Sequence, residues 1–319
     1  MKKMMKLLAI ALLIVSLPYV YVSAEEPTPV TRVGGLKGPT GMALAHMMTE
    51  NDGSYQFTLA GAPTEITDLI IKGDVDIAAV PINLGSVLYN KTKGNVKALS
   101  LITRGMLYVL EKGDTIQTVA DLEGKNVIAA GQGSTPEYVT NFILEANNVK
   151  ANVEFKSEHA EVTTLAVSGL ADIILVPEPH VTTVLTKDPS FRIALDVTKE
   201  FAAAAQLKGY ENAQLSMSVV IVRTEFMEKN PKAVQKFLAD LEGSIAYTVE
   251  NVEAAAQEIA AHGIIPAAAV AQKALPNCQL VFIPGADMQS QASALYEILH
   301  AANPASVGGK VPDEGFYVK

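Results

Sequence analysis

The sequence has no tryptophan and a single cysteine, Cys278, in 319 residues. One thiol excludes an intramolecular disulfide and a cysteine-based zinc cluster. We therefore predict that Cys278 is a small buried apolar residue rather than a reactive thiol. The missing tryptophan argues against a binding site in which indole rings enclose a heterocyclic ligand.

Positive charge is also scarce. The chain has 25 lysines and arginines against 34 aspartates and glutamates, and its net charge is −9. A nucleic-acid partner needs a basic surface to meet its phosphates, so this composition argues against one. Low-complexity stretches are absent, and 49% of the residues are hydrophobic. The chain can therefore fill one large hydrophobic core or two medium ones, and no disordered body is expected.

The first residues have the pattern of an export signal. Three lysines precede a short apolar run, and small residues occupy the −3 and −1 positions of a cleavage site after Ala24. From Leu7 to Val22 this run has about 16 residues, fewer than the roughly 20 that a membrane-spanning helix needs. We predict a cleaved signal peptide at 1–24, with an uncleaved anchor as the alternative. No cysteine follows the run, so the usual lipid-attachment site is missing and the mature protein is expected to be periplasmic or extracellular.

Two segments of the chain repeat each other. Residues 65–81 read EITDLIIKGDVDIAAVP, and residues 161–177 read EVTTLAVSGLADIILVP. In each, apolar residues at helical spacing indicate a short amphipathic helix, and a glycine ends it. The apolar run that follows is typical of a buried parallel strand. A proline then ends that strand at the edge where open α/β sheets bind ligands.

A glycine-rich loop precedes each repeat, in the sequences VTRVGGLKGPTG and NVIAAGQGSTP. Each sequence reads as a short strand, a loop with glycine and threonine, and the start of a helix. Ser134 and Glu137 have the spacing of a capping box, and Thr135 before Pro136 is a competing cap. Helix N-termini offer free N–H groups and partial positive charge, so such loops suit carboxylate, sulfonate or phosphate groups. Good turn chemistry alone would also account for either loop taken singly.

In their order along the chain, these motifs resemble the type 2 periplasmic binding proteins. The paired DI-VP units, the GPTG loop, the export signal and the phrase DLEGKNVIA at 121–129 are similar to the NMT1/THI5-like and SsuA/TauA-like substrate-binding proteins of ABC transporters. The resemblance covers essentially the whole mature chain. It implies an α/β, two-lobed architecture in which each lobe is a mostly parallel sheet flanked by helices, with the ligand cleft between the lobes.

The same resemblance implies a discontinuous first lobe. It places the crossings between lobes near 106–110 and 217–222, where the sequence reads as extended. The implied division is a signal peptide at 1–24, lobe 1 at 25–108, lobe 2 at 109–220 and a return segment of lobe 1 at 221–319.

Carried over position by position, the resemblance implies a set of ligand contacts at strand ends. These are Lys37, Gly38, Pro39, Thr40, Gly41, Pro81, Ile82, Asn83, Gly133, Ser134, Thr135, Glu178 and His180. Arg104 is a further candidate, as an anion partner near the hinge. Each has a structural alternative: the hydroxyls and Asn83 can cap helices, Glu178 can face water, and a lone histidine can be part of the core.

Binding without catalysis is the function that these features favour. GQGSTP lacks the third glycine of a dinucleotide fingerprint, GPTG lacks the lysine of a P-loop, and the five histidines are scattered. We therefore predict no catalytic residue, cofactor or metal. The implied partners are a small anionic or zwitterionic metabolite and a membrane permease, with the protein itself a monomer. An enzyme on the same fold, as in menaquinone biosynthesis, and a ligand sensor for a membrane receptor are the alternatives.

Overall fold

The structure is a computed structural model that describes residues 29–210 and 213–319. The predicted signal peptide at 1–24 lies outside the described residues. Within them the strands are β1 (Thr31–Leu36), β2 (Tyr55–Ala60), β3 (Ile77–Pro81), β4 (Val96–Arg104), β5 (Leu107–Lys112), β6 (Asn126–Ala130), β7 (Asn152–Lys156), β8 (Ile173–Pro177), β9 (Phe191–Asp196), β10 (Ser216–Arg223) and β11 (Leu280–Pro284).

Helices connect most of these strands. The α-helices are α1 (Pro39–Met42), α2 (Ala45–Thr49), α3 (Pro63–Lys72), α4 (Ile82–Lys91), α5 (Thr135–Ala146), α6 (His159–Val167), α7 (His180–Lys187), α8 (Val197–Leu207), α9 (Thr224–Lys229), α10 (Pro231–Glu250), α11 (Val252–Ala261), α12 (Ala268–Ala274) and α13 (Gly285–Ala302). Short 3₁₀ helices occupy Val119–Leu122, Leu275–Asn277, Pro304–Val307 and Glu314–Phe316.

The strands form two separate sheets, each the centre of one lobe. Sheet 1 has the order β11-β4-β10-β3-β1-β2, and sheet 2 has the order β7-β6-β8-β5-β9. The β1–β2, β1–β3, β6–β7 and β6–β8 pairs are parallel, whereas β10, β5 and β11 run antiparallel to their neighbours. The predicted α/β class and two-lobed architecture are confirmed.

The internal repeat corresponds to one helix–strand unit in each lobe. The first copy forms α3 and β3, and the second forms α6 and β8. Gly73 is the left-handed C-cap of α3, as the sequence predicts, while Gly169 adopts the same conformation one residue beyond the cap of α6. No loop follows the first proline, because α4 starts at Ile82 directly after β3.

The chain crosses between the lobes after β4 and returns before β10. The backbone N–H of Gly105 donates to the carbonyl oxygen of Leu215 at 2.8 Å, which ties the two crossing segments together. β5 pairs with β8 and β9 of sheet 2, and β10 pairs with β3 and β4 of sheet 1. The predicted bounds at 108 and 220 are therefore displaced by a few residues, because an extended sequence does not reveal which sheet a strand joins.

Apolar residues fill both faces of the two sheets. One cluster continues from lobe 1 into lobe 2, and two further clusters cover the other faces of the sheets. Cys278 is fully buried, as predicted. In the described part of the chain, no helix is long and apolar enough to span a bilayer. The same residues contain no group of three or more histidines, cysteines or carboxylates placed to hold a metal ion.

Candidate ligand-binding cleft

The first glycine loop lies at the C-terminal end of β1, as predicted. Gly38, with φ of 92°, precedes α1, and Pro39 is the first residue of that helix. Gly41 is buried, and a Cβ added to it would lie 2.5 Å from the carbonyl oxygen of Leu36. Any side chain at Gly41 would therefore displace the backbone that positions this loop.

Thr40 links this loop to a neighbouring strand. Its buried Oγ1 lies 3.0 Å from Oγ of Ser218, and it does not cap α1. Ser218 is opposite Pro81, the last residue of β3, in the sheet register. The loop, the end of β3 and the start of β10 therefore meet at one edge of sheet 1, while Lys37 remains exposed.

The second glycine loop lies at the corresponding edge of sheet 2. Ser134 is the N-cap of α5, but its Oγ donates to the carbonyl of Gly131 at 2.7 Å rather than bonding to the helix. Oε2 of Glu137 accepts from the N–H of Gly133 at 2.6 Å. The predicted capping box is therefore wrong in its partners, because the carboxylate reaches one residue further back. Thr135 is buried as the first residue of α5.

Glu178 follows β8 and is 1% exposed. Its carboxylate accepts hydrogen bonds from N and Oγ1 of Thr182 and from Nδ2 of Asn277, each at 3.1 Å. Burial raises the pKa of Glu178 despite these donors. The alternative that this carboxylate faces water is wrong, because it is buried and accepts hydrogen bonds from protein donors. Its contact with a ligand stays a prediction.

The Glu178–Asn277 bond joins the two lobes. Nearby, the hydroxyl of Tyr108 in lobe 2 donates to the carbonyl of Asn277 at 3.1 Å and accepts from Nε2 of Gln279 at 3.4 Å. Asn277 was not among the predicted contacts. No local pattern could have indicated it, because its partner lies 99 residues earlier in the chain.

His180 begins α7 and is held by protein contacts. Its Nδ1 lies 2.9 Å from Oγ1 of Thr163, and its ring meets that of His159 edge to face with centroids 5.5 Å apart. Burial, helped by the neighbouring His159, lowers the pKa of His180 to about 4. At neutral pH this imidazole is uncharged, so it can donate or accept a hydrogen bond but cannot serve as a cation.

Of the residues after β3, one lies in the core and one lies at the edge of sheet 1. Ile82 is fully buried, and its carbonyl accepts a hydrogen bond from the hydroxyl of Tyr296 at 3.0 Å. Asn83 is partly exposed in the first turn of α4. Of this predicted trio, Ile82 is a core residue, whereas Asn83 keeps a side chain available at the edge of the sheet.

Arg104 is the last residue of β4 and lies opposite Ser216 in the β4–β10 register. Its Nη1 and the Oγ of Ser216 are both buried, and among the described residues neither has a hydrogen-bond partner. Burial lowers the pKa of Arg104, with no acidic group opposing the effect. The crossing segments therefore carry a partly buried cation for which the described part of the chain provides no counter-charge.

The predicted contacts thus fall into two groups at facing edges. Those of lobe 1 lie at the ends of β1, β3 and β4, and those of lobe 2 lie at the ends of β6 and β8. Because Glu178 and Asn277 touch, the two edges meet. This position, at the carboxyl ends of parallel strands between two lobes, is where α/β proteins hold small ligands.

Comparison with known protein families decides the identity of this fold. A profile described as "NMT1/THI5 like" matches residues 56–255, more than half of the chain. The chain belongs to the NMT1/THI5-like family. The resemblance inferred from the sequence motifs is confirmed.

Solved structures similar to this NMT1/THI5-like protein include proteins of ABC transport systems. An ABC transporter protein from Parabacteroides distasonis is 22% identical with a TM-score of 0.76, covering 91% of this chain and 99% of that one. The periplasmic aliphatic sulphonate binding protein SsuA from Escherichia coli is 17% identical with a TM-score of 0.70, covering 92% and 93%. The ligand-binding component of an ABC-type import system from Staphylococcus aureus, with zinc bound, is 14% identical with a TM-score of 0.65, covering 91% and 96%.

At these identities the comparison establishes the two-lobed periplasmic-binding-protein fold and not a ligand. A search of curated proteins finds no match.

Proposed function

We propose that this protein is the exported substrate-binding component of an ABC-type importer. It captures a small anionic or zwitterionic metabolite between its lobes and delivers that metabolite to a membrane permease. The single observation that carries this proposal is the arrangement of the two glycine loops at facing edges of two sheets, joined by crossings at Gly105 and Leu215. Two lobes joined in this way can close on a ligand and reopen to release it.

Family membership and the similar solved structures support transport over catalysis. The side chains at the cleft also fit a binding role, because Glu178 and His180 are both engaged with protein partners. Export rests on the signal-like pattern at 1–24. As in the sequence analysis, the protein is expected to act as a monomer without cofactor or metal.

The test is native mass spectrometry of the protein purified without denaturation and then mixed with a library of small anionic, zwitterionic, cationic and neutral metabolites. We expect one anionic or zwitterionic compound to bind one to one and to be recovered unchanged. Small-angle X-ray scattering is then expected to show a smaller radius of gyration with that compound than without it.

Two results would contradict the proposal. Conversion of the bound compound into a product would favour an enzyme on this fold. Binding without any change in the radius of gyration would contradict the capture mechanism, because capture requires the lobes to move.

A further inference from the structure

The guanidinium of Arg104 stands apart from the three other arginines of the chain. Arg32 and Arg223 both pair with Asp76, and Arg192 pairs with Glu111. Within residues 29–210 and 213–319, no carboxylate pairs with Arg104, although its Nη1 is buried. A guanidinium cannot lose its proton in a protein, so burial without a partner carries an uncompensated cost.

Ser216 supplies a second unsatisfied group beside this cation. It is fully buried, its Oγ has no partner among the described residues, and it lies directly opposite Arg104 across two paired strands. Paired residues of antiparallel strands project from the same face with Cβ atoms about 5 Å apart. Since buried polar groups are ordinarily hydrogen-bonded, two adjacent exceptions call for a missing partner.

The location of the pair identifies where such a partner would come from. Ser218, two residues along β10, lies opposite the last residue of β3 and touches Thr40 of the first glycine loop. Arg104 and Ser216 are therefore at the edge of sheet 1 that faces lobe 2. Each is next to a residue of the crossing pair, Gly105 and Leu215.

We propose that Arg104 and Ser216 form a binding site for one compact oxyanion group, a carboxylate or sulfonate, carried by the transported ligand. The guanidinium donates to the anion through Nη1, and the serine hydroxyl donates beside it. Among the described residues both groups lack a partner, so the ligand is the group that restores the charge balance at this edge of sheet 1. That the anion is part of the transported ligand rests on the proposed function. The anion site itself does not.

The first experiment follows the side-chain NMR signals of the arginines, which are few enough to be resolved from one another. The Nε–Hε signals of the ¹⁵N-labelled protein are followed while sodium acetate, sodium methanesulfonate, sodium chloride or neutral acetamide is added at matched ionic strength. We expect the Arg104 signal to shift saturably with acetate or methanesulfonate and not with acetamide. Arg32, Arg192 and Arg223 serve as internal controls because their carboxylate partners occupy them. The site is overturned if Arg104 moves no more than these three, or if chloride produces the same shift.

The second experiment uses variants. Against the metabolite found by native mass spectrometry, Arg104→Gln is expected to weaken binding about 10- to 100-fold and Ser216→Ala about 2- to 10-fold. Lys72→Gln is the matched control, because it removes one positive charge from an exposed position at the end of α3 and is expected to leave affinity unchanged.

The effects of Arg104→Gln on folding and on binding can be measured separately. Arg104 has no partner among the described residues, so Arg104→Gln is expected to leave the melting temperature unchanged or raised, whereas Arg192→Gln is expected to lower it because Arg192 pairs with Glu111. If a metabolite binds Arg104→Gln as tightly as it binds the unaltered protein, this site is refuted while the proposed function survives. If acetate binds at Arg104 but no metabolite closes the lobes, the proposed function fails and the anion site stands.

Discussion

The side-chain amide of Asn277 donates a hydrogen bond to the carboxylate of Glu178 at 3.1 Å, and the two residues belong to different lobes. Glu178 directly follows β8 of lobe 2, and Asn277 precedes β11 of lobe 1. Another side-chain bond across the lobes joins Nδ2 of Asn303 to the hydroxyl of Tyr138 at 3.0 Å. Both are bonds between side chains of different lobes, so they are the first place to test hinge motion.

Asn277→Ala is expected to loosen the lobes without unfolding them, because Thr182 still donates twice to Glu178. The loss of one hydrogen bond to a charged group is expected to cost about 1.5–3 kcal/mol in the free energy of unfolding, measured in urea. The radius of gyration of the free protein is also expected to rise. Asn152→Ala is the control, since it removes an exposed amide bond to Asn126 within one sheet. An equal effect of both variants would show that the interlobe bond has no special role.

Glu178→Gln is expected to change how stability depends on pH. Burial raises the pKa of Glu178 above its ordinary value of 4.5, so the ionised form is disfavoured in the folded state. The stabilising effect of protonation is therefore fully present below pH 4.5 and is lost as the pH rises through the raised pKa. We expect the Gln variant to be more stable than the unaltered protein at high pH and to match it at low pH. Urea unfolding across this range measures the difference, and a difference that grows toward low pH would reverse the sign and contradict the prediction.

Gly41→Ala and Gly243→Ala are expected to act in opposite directions. A methyl group at Gly41 would meet the carbonyl oxygen of Leu36, so we expect a loss of about 1–3 kcal/mol in the free energy of unfolding. Gly243 is exposed in α10 with open space around it, and alanine there is expected to add up to about 1 kcal/mol. Thermal unfolding of the two variants gives the comparison. A neutral Gly41→Ala would mean that the first loop can shift without cost.

His180 is expected to remain uncharged well below neutral pH. Its pKa falls to about 4 because the ring is buried beside His159. The imidazole therefore favours the folded state above its unfolded pKa near 6.5, and that stability is lost as the pH falls toward 4. NMR titration of the histidine ring protons measures the pKa directly, and His180→Asn identifies the resonance. A midpoint near 6.5 would show that the ring is solvated and open to the cleft.

The repeat and the glycine loops were accessible to sequence reasoning because they rest on local physics. Helical spacing in 65–81 and 161–177, and the apolar runs after each glycine, specify α3–β3 and α6–β8 without long-range information. The hydrogen-bond partners at the helix N-terminus were harder to predict from sequence. Glu137 bonds to Gly133 rather than to Ser134, because several N–H groups of a glycine loop compete for one carboxylate.

The candidate site, too, could be predicted from sequence only in part. Strand-end residues such as Thr40 and Glu178 could be placed at an edge because parallel strands share their carboxyl ends. Their partners could not be placed: Ser218 lies 178 residues from Thr40, and Asn277 lies 99 residues from Glu178. Distant partners decide whether a polar side chain is hydrogen-bonded. The burial of Glu178 and the lack of an ion-pair partner for Arg104 among the described residues therefore follow from tertiary packing.

The sequence by itself determined the secondary-structure units, the two-lobed α/β class, the family resemblance and the buried character of Cys278. The units and the burial of Cys278 follow from periodicity, turn chemistry and composition, which act over a few neighbouring residues, and the two-lobed architecture is what the resemblance implies. The tertiary structure alone decided which sheet β5 and β10 join and which carboxylate bridges the lobes. It also decided which of the four arginines lacks a counter-charge within residues 29–210 and 213–319. The physical reason is that strand pairing and charge neutralisation are settled by groups brought together from distant parts of the chain.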